Sequence, residues 1–329
     1  DFSVLFIKTD ASGNLQYNNT YNHTGDDIGY SIIQNSEGGY FIVGSHDTAQ
    51  SGKQILFIQT DPQGNAIWMA DHGYSGNDVG KAVIHLDDGS YTILGETTSF
   101  GSMTQIYLLN IDSSGEVTWE RTYGGHLTDL VYSITTTSDG GYAIAGTTNY
   151  LPEDFDIYIL KIDSTGHVDW TFTYNATKSD YAYSIIENDR KEFVIAGAVL
   201  APNQTNTNAI LLKLDWDGNL SANHTWTEPA SSFARQVIQS SDGNYVVAGA
   251  SLDASNYDFW LTKTSALTSM CVHNLNTNQS YSSIQKAIDS ASTQDGHTIA
   301  VDSGFYRENI VIHKSITLMG ENNISTIID

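Results

Sequence analysis

A period of 51 residues restricts this chain more than any other feature. The motif Tyr-x-(Ile/Val)-x-Gly occurs at Tyr40–Gly44, Tyr91–Gly95 and Tyr142–Gly146, with Phe leading at Phe193–Gly197, and again at Tyr245–Gly249. Its glycines are 51, 51, 51 and 52 residues apart. A second series, Asp-x-x-Gly, starts at Asp10, Asp61, Asp112, Asp163 and Asp215 and keeps the same step. Two series in register mean one supersecondary unit, copied, whose copies bury their apolar faces against each other.

Each copy holds four short segments of strand character. The first centres on Ile32-Ile33, Val83-Ile84, Ile134, Ile185-Ile186 or Val237-Ile238. Asp-Gly or Glu-Gly turns follow, as at Asp88-Gly89 and Asp139-Gly140, and they read as hairpins because Gly accepts the positive φ such turns need. The Tyr-x-Ile-x-Gly segment is the second strand. The third is an apolar run (Val4–Ile7, Ile55–Ile58, Ile106–Leu109, Ile157–Leu160, Ala209–Leu212, Phe259–Leu261), as suits a strand covered on both faces. The fourth centres on Trp68, Trp119 and Trp170, with Tyr17 in the first copy. In the fifth copy Ala222 falls where the Trp belongs, and Trp226 takes the place of Tyr123 and Tyr174.

Four antiparallel strands per copy, with no helix between copies, predict an all-β chain of β-propeller blades over 1–264, five full repeats plus a partial one. A β-solenoid is the rival, with shorter coils and fewer hairpins. The third strand occurs six times and the others five, so closure of five blades leaves one strand over. Either another blade lies upstream, or the spare strand pairs with a neighbouring molecule through its open edge.

The texture changes over 265–329. Ser265–Met270 reads as a linker. Ser282 or Ser283 caps a short helix whose Ile284, Ala287, Ile288 and Ala291 form one stripe. Three strand-like runs follow, Thr298–Val301, Asn309–Ile312 and Ser315–Leu318, separated by Gly304-Phe305-Tyr306 and His313-Lys314. The strings Ser283–Ile288, Asp295–Val301, Gly304–Ile310 and Lys314–Gly320 resemble the opening of right-handed parallel β-helix proteins, the group that includes pectate-lyase-like enzymes and carbohydrate-binding and sugar-hydrolase domains. That resemblance implies an N-terminal cap and first coil, and no activity, since the family's catalytic residues lie on later coils. Asp139–Gly146 and Ile157–Asp163 resemble the propeller repeats, about 50 residues long, of secreted and surface proteins that abound in archaea and occur in bacteria. This second resemblance implies an extracytoplasmic scaffold or adhesion role with no fixed chemistry.

The charge balance, 38 acidic against 14 basic residues or −24, repels nucleic acid and anionic membranes, and no segment has the length of a membrane span. One cysteine, Cys271, excludes an internal disulfide framework and reads as a small buried hydrophobe. Sequons begin at Asn18, Asn22, Asn175, Asn203, Asn219, Asn223, Asn278 and Asn323, a density that points to a glycosylated chain outside the cell.

The chemistry looked for is sparse. Asp215 and Asp217, in Asp-Trp-Asp-Gly-Asn, are the nearest approach to a calcium loop, but they lack the spacing and distal Glu of one, and a tight turn explains them. The ten histidines show no zinc-site spacing; His23 and His224 lie in sequons, where exposure is expected, and His72 stands where Tyr21, Tyr123 and Tyr174 pack. The acid pairs Asp26/Asp27 and Glu153/Asp154 read as solvated charge guarding sheet edges. The expectation is therefore a non-enzymatic, glycosylated cell-surface scaffold, such as a surface-layer, filament or adhesin subunit, with copies of itself and glycans as partners. The alternative is an accessory glycan-binding region of a secreted polysaccharide lyase or hydrolase with its catalytic β-helix downstream. A protein–protein interaction platform is a third reading.

Overall fold

The computed structural model describes residues 2–328 apart from 24, 49–50, 102, 125–126, 152–153, 177–178, 201–205, 227–230, 254–255, 265–271, 278, 282, 302–303, 307–309 and 321–325. The expected linker, Cys271, Asn203, Asn278, Asn323 and Glu153 lie outside the described residues. The chain divides into two compact units, Asp1–Ile186 with Val199–Thr205, and Glu187–Ala198 with Asn206–Asp329.

The first unit opens with a two-stranded antiparallel sheet, β1 (Val4–Thr9) and β2 (Leu15–Tyr21). Three four-stranded antiparallel sheets follow, each with its strands in sequence order. They are β3 (Asp27–Gln34), β4 (Tyr40–Thr48), β5 (Gly52–Thr60) and β6 (Ala66–His72); then β7 (Asp78–His85), β8 (Tyr91–Thr97), β9 (Gln105–Ile111) and β10 (Val117–Tyr123); then β11 (Thr128–Thr136), β12 (Tyr142–Leu151), β13 (Asp154–Ile162) and β14 (Val168–Tyr174). Such sheets are the form of propeller blades.

The two repeated motifs have separate physical causes. The glycine ending Tyr-x-Ile-x-Gly faces a register shift in the first strand, between Gly29 and Ser31 in the first full sheet. A Cβ on Gly44 would lie 1.8 Å from the Ile28 carbonyl oxygen, and one on Gly146 would lie 2.1 Å from that of Leu130. Only glycine admits the bulged partner this closely. In the other motif the aspartate closes the turn. Asp61 Oδ1 accepts from the backbone N–H groups of Gln63 at 2.9 Å and Asn65 at 2.8 Å, while Gly64 takes φ +77°.

Alternate residues of the middle strands face opposite neighbours, so both faces are buried. Leu56 and Ile58 pack back on Val4 and Phe6 of β1. Ile55 and Phe57 pack forward on Tyr91, Ile93, Tyr107 and Leu109 of the next sheet. Ile106 and Leu108 repeat the forward contact onto Val131, Tyr142 and Leu160. The apolar runs of the sequence are the consequence.

The division between units runs through the fourth copy, β15 (Tyr181–Glu187), β16 (Phe193–Leu200), β17 (Thr207–Leu214) and β18 (Leu220–Trp226). Within the second unit β17 and β18 pair antiparallel, with Ala222 opposite Lys213 and Trp226 opposite Ala209, the places of Trp170 and Tyr174 in β14. A three-stranded sheet follows, β19 (Ser231–Gln239), β20 (Tyr245–Asp253) and β21 (Asn256–Thr264).

The last segment has its own small core of Val272, Ile284, Ala287, Ile288, Ile299 and Val301. It contains β22 (Val272–Asn274), β23 (Gln279–Tyr281), α1 (Ile284–Asp289), β24 (Thr298–Val301), β25 (Gly304–Tyr306), β26 (Thr317–Gly320) and β27 (Thr326–Ile328). Ser283 caps α1 by accepting from the Lys286 N–H at 3.2 Å. β24 pairs parallel with β26, and β25 parallel with β27. Gly304–Tyr306, expected as a separator, is thus a strand. The reverse holds at 310–312, expected as strand: there the Val311 N–H bonds to the Gln285 side chain of α1 at 2.7 Å instead of to a ladder.

Candidate functional site

The third strand of the repeat is covered on both faces in β5 and β9, but not in β1 or β21. Leu5 and Ile7 correspond to the buried Leu56 and Ile58, yet they are 61% and 54% exposed. These positions face the preceding sheet. On β21, Phe259 and Leu261 correspond to Ile55 and Phe57 and are 76% and 62% exposed; these positions face the following sheet. Tyr257 and Ile238 extend the second patch. The first sheet is bare on one kind of face and the last sheet on the other.

A third series of the same period lies beneath the turns that lead into each first strand. Asp27, Asp78, Asp129 and Asp180 are all buried, with Ser232 in the fifth place. Asp27 Oδ2 accepts from the His23 N–H at 2.6 Å, Asp78 Oδ2 from Tyr74 at 2.7 Å and Asp180 Oδ2 from Ala176 at 2.6 Å. The other oxygen bonds across the ladder in the first three copies. Asp27 Oδ1 lies 2.7 Å from His46 Nδ1, Asp78 Oδ1 accepts from the Thr97 hydroxyl, and Asp129 Oδ1 accepts from Thr148 Oγ1 at 2.5 Å. Asp27 was expected to be a solvated edge charge. It is instead an anchor that fastens the incoming loop, and a buried carboxylate is tolerable because donors surround it.

Asp215 and Asp217 form the turn that the repeat dictates. Asp215 Oδ1 accepts from the N–H groups of Asp217 at 3.0 Å and Asn219 at 2.8 Å, and Gly218 has φ +82°. Asp163, in the equivalent turn, is held down at about 2 by bonds from the Thr165 hydroxyl and the His167 N–H. Of the described sequon asparagines, Asn18, Asn22 and Asn219 are exposed, while Asn175 and Asn223 are half-buried. His72 takes the Tyr place and lies 3.0 Å from Glu120 Oε2. The hydroxyls of Tyr74 and Tyr107 donate to the same carboxylate. Burial would raise the Glu120 pKa, but bonds from Tyr107, Tyr74 and His72 outweigh it, and the group sits below its usual range. Tyr107 is pushed up by burial and by the carboxylate. Exposed Tyr74 and Phe100 stand edge to face, 5.0 Å apart, beside this carboxylate.

Among the described residues, His23, Asp27 and His46 place one ring nitrogen or carboxylate oxygen each within 4.8 Å of one another. Sequence spacing missed this group because its members meet across a β-ladder, in which Asp27 is paired with His46. The signal available was the repeat itself, since the other copies carry Thr97, Thr148, Val199 and Ser251 at the His46 position.

No family model matches the chain. A segment of 58 residues is 50% identical to a cell surface glycoprotein of Methanothermus fervidus; it covers 18% of this chain and 9% of that protein. A protein of unknown function from Dyadobacter fermentans is similar in structure at TM-score 0.50, with 11% identity over 71% of this chain and 79% of its own. An endo-arabinase from Bacteroides thetaiotaomicron aligns over 72% of this chain and 93% of its own at TM-score 0.42 and 11% identity. A family-43 β-xylosidase/α-arabinofuranosidase from a compost metagenome covers 78% and 93% at TM-score 0.35 and 9% identity. These likenesses concern fold alone. The expectation that the chain is not an enzyme is withdrawn: proteins named as glycosidases are among its structural neighbours, and a fold by itself does not fix function. Among the described residues no helix is long and apolar enough to cross a membrane.

Proposed function

We propose that this chain is an extracellular building block of the cell surface, a glycosylated array of propeller-type blades that joins to neighbouring copies of itself. The observation that carries the reading is the pair of bare faces. Leu5 and Ile7 need a preceding sheet; Phe259 and Leu261 need a following one. A face of the first kind on one copy fits a face of the second kind on the next, which is a head-to-tail contact. The glycoprotein segment and the exposed sequon asparagines Asn18, Asn22 and Asn219 support a place outside the cell. The last segment, in which β24–β26 and β25–β27 pair parallel but β22 pairs antiparallel with β23 and β24, keeps the opening of a β-helix only as part of this proposal. Sedimentation across concentration tests the contact. Wild type forms chains whose length grows with concentration; Leu5→Asp or Phe259→Asp holds the protein as single copies with unchanged circular dichroism. A wild type that stays a single copy at high concentration overturns the proposal.

A second reading, glycan binding, is favoured by Tyr74 and Phe100 beside Glu120. Aromatic faces next to a fixed hydrogen-bonding carboxylate suit a sugar ring. Glycan-array binding that disappears in Tyr74→Ala with Phe100→Ala supports it, and an array without signal removes it.

A further inference from the structure

We propose that His23, Asp27 and His46 form a binding site for a divalent transition-metal ion, with zinc the best fit. The comparison between copies isolates what the fold requires. In the second and third copies Thr97 and Thr148 donate to the anchoring aspartate, and in the second and fourth the residue at the His23 position, Tyr74 or Ala176, supplies only its backbone N–H. The anchor needs no imidazole. The first copy carries two, and their rings lie 4.9 Å apart at 55°.

The donor set matches zinc, which takes neutral imidazole nitrogen and carboxylate oxygen in tetrahedral sites. His46 Nδ1 is 2.7 Å and His23 Nδ1 3.8 Å from the same oxygen, Asp27 Oδ1. Ligand atoms in such a site stand about 3.3 Å apart, so small ring rotations bring the three around one ion. The His23 Nδ1 atom is buried and has no hydrogen-bond partner, so its lone pair or proton is unused. Asp27 Oδ2 is held by the His23 N–H, which orients Oδ1 toward the rings as an outer-shell bond orients a ligand. The Asp27 and His46 side chains are 0% and 9% exposed, whereas that of His23 is 33% exposed, which leaves a path for the ion and for water as a fourth ligand. The bound ion ties the loop before β3 to β4. The Phe2 N–H also donates to Asp26 Oδ1 at 2.7 Å, so the start of the chain is fastened to the same loop.

Titration calorimetry of the metal-free full chain with zinc chloride tests the site. The expected result is one ion per chain and a higher melting temperature when it is loaded. His46→Thr installs the residue that the second and third copies use, so the sheet keeps its anchor. Combined with His23→Ala it removes two of the three protein ligands and weakens zinc binding by about 100-fold or more, at or beyond the roughly 10–100-fold that loss of an outer-shell partner costs. His167→Gln, an exposed histidine elsewhere, leaves binding unchanged. Cobalt substitution reports tetrahedral coordination through its visible absorption, which the double variant lacks. No binding by wild type, or equal binding by the double variant, overturns the proposal.

Discussion

Strands β5 and β21 are the same element of the repeat in two environments. In β5, Ile55 and Phe57 are buried against the following sheet; in β21, Phe259 and Leu261 at the same places face outward. The apolar pattern is therefore a property of the repeat, and burial is a property of the neighbour. A stacked array sums such neighbour contacts, so the energetic weight of one position depends on where in the array it stands.

Substitutions at matched positions sharpen this contrast. Phe57→Ala removes a ring from a packed interface and costs about 4 kcal/mol, whereas Leu261→Ala in the single copy stays within about 0.5 kcal/mol; urea unfolding of both variants checks the pair. Equal losses would break the comparison. The anchoring residues give a smaller contrast. Asp78→Ala leaves the Tyr74 N–H and the Thr97 and Ser99 hydroxyls without their acceptor and costs about 3 kcal/mol. Ser232→Ala loses one bond, from the Ala209 N–H at 2.9 Å, and costs about 1 kcal/mol.

The smallest effect is on pH. Asp139 and Asp163 both titrate at about 2 in the folded chain, against an ordinary 3.8. For Asp139 burial pulls upward, and bonds from Thr137, Lys161 and Gly141 prevail. A depressed carboxylate lends stability that is complete above its unfolded pKa and is lost as pH falls through its folded one. The melting temperature therefore holds down to about pH 4 and declines between about pH 4 and 2. Asp139→Asn with Asp163→Asn flattens that decline.

Much of the fold was legible because a periodic sequence repeats its own clues. The Tyr-x-Ile-x-Gly and Asp-x-x-Gly series located the second strand and the turn, and the apolar runs located the third. The Ser283 cap and the strand at Thr298–Val301 were legible too, since capping and alternation are local. Gly304–Tyr306 was not, because its pairing with Thr326–Ile328 is made at long range. The anchoring aspartates hid in plain view. Asp27 stands beside Asp26 in a polar loop, and local composition says nothing about a loop folding back across a ladder onto residue 46. The 51-residue step from Asp27 to Asp78 to Asp129 to Asp180 was the available signal. The bare faces of β1 and β21 had no signal in composition at all, since their residues match those that are buried elsewhere.

The bulge beneath each motif glycine has a further consequence. Gly44, Gly95, Gly146 and Gly249 all sit where a methyl group would strike the opposite carbonyl. Exchange of any one for alanine would not trim a contact but prise two strands apart at mid-ladder. A lineage that duplicates this module is thereby bound to inherit the same residue in every copy, while the flanking loops remain free to diverge.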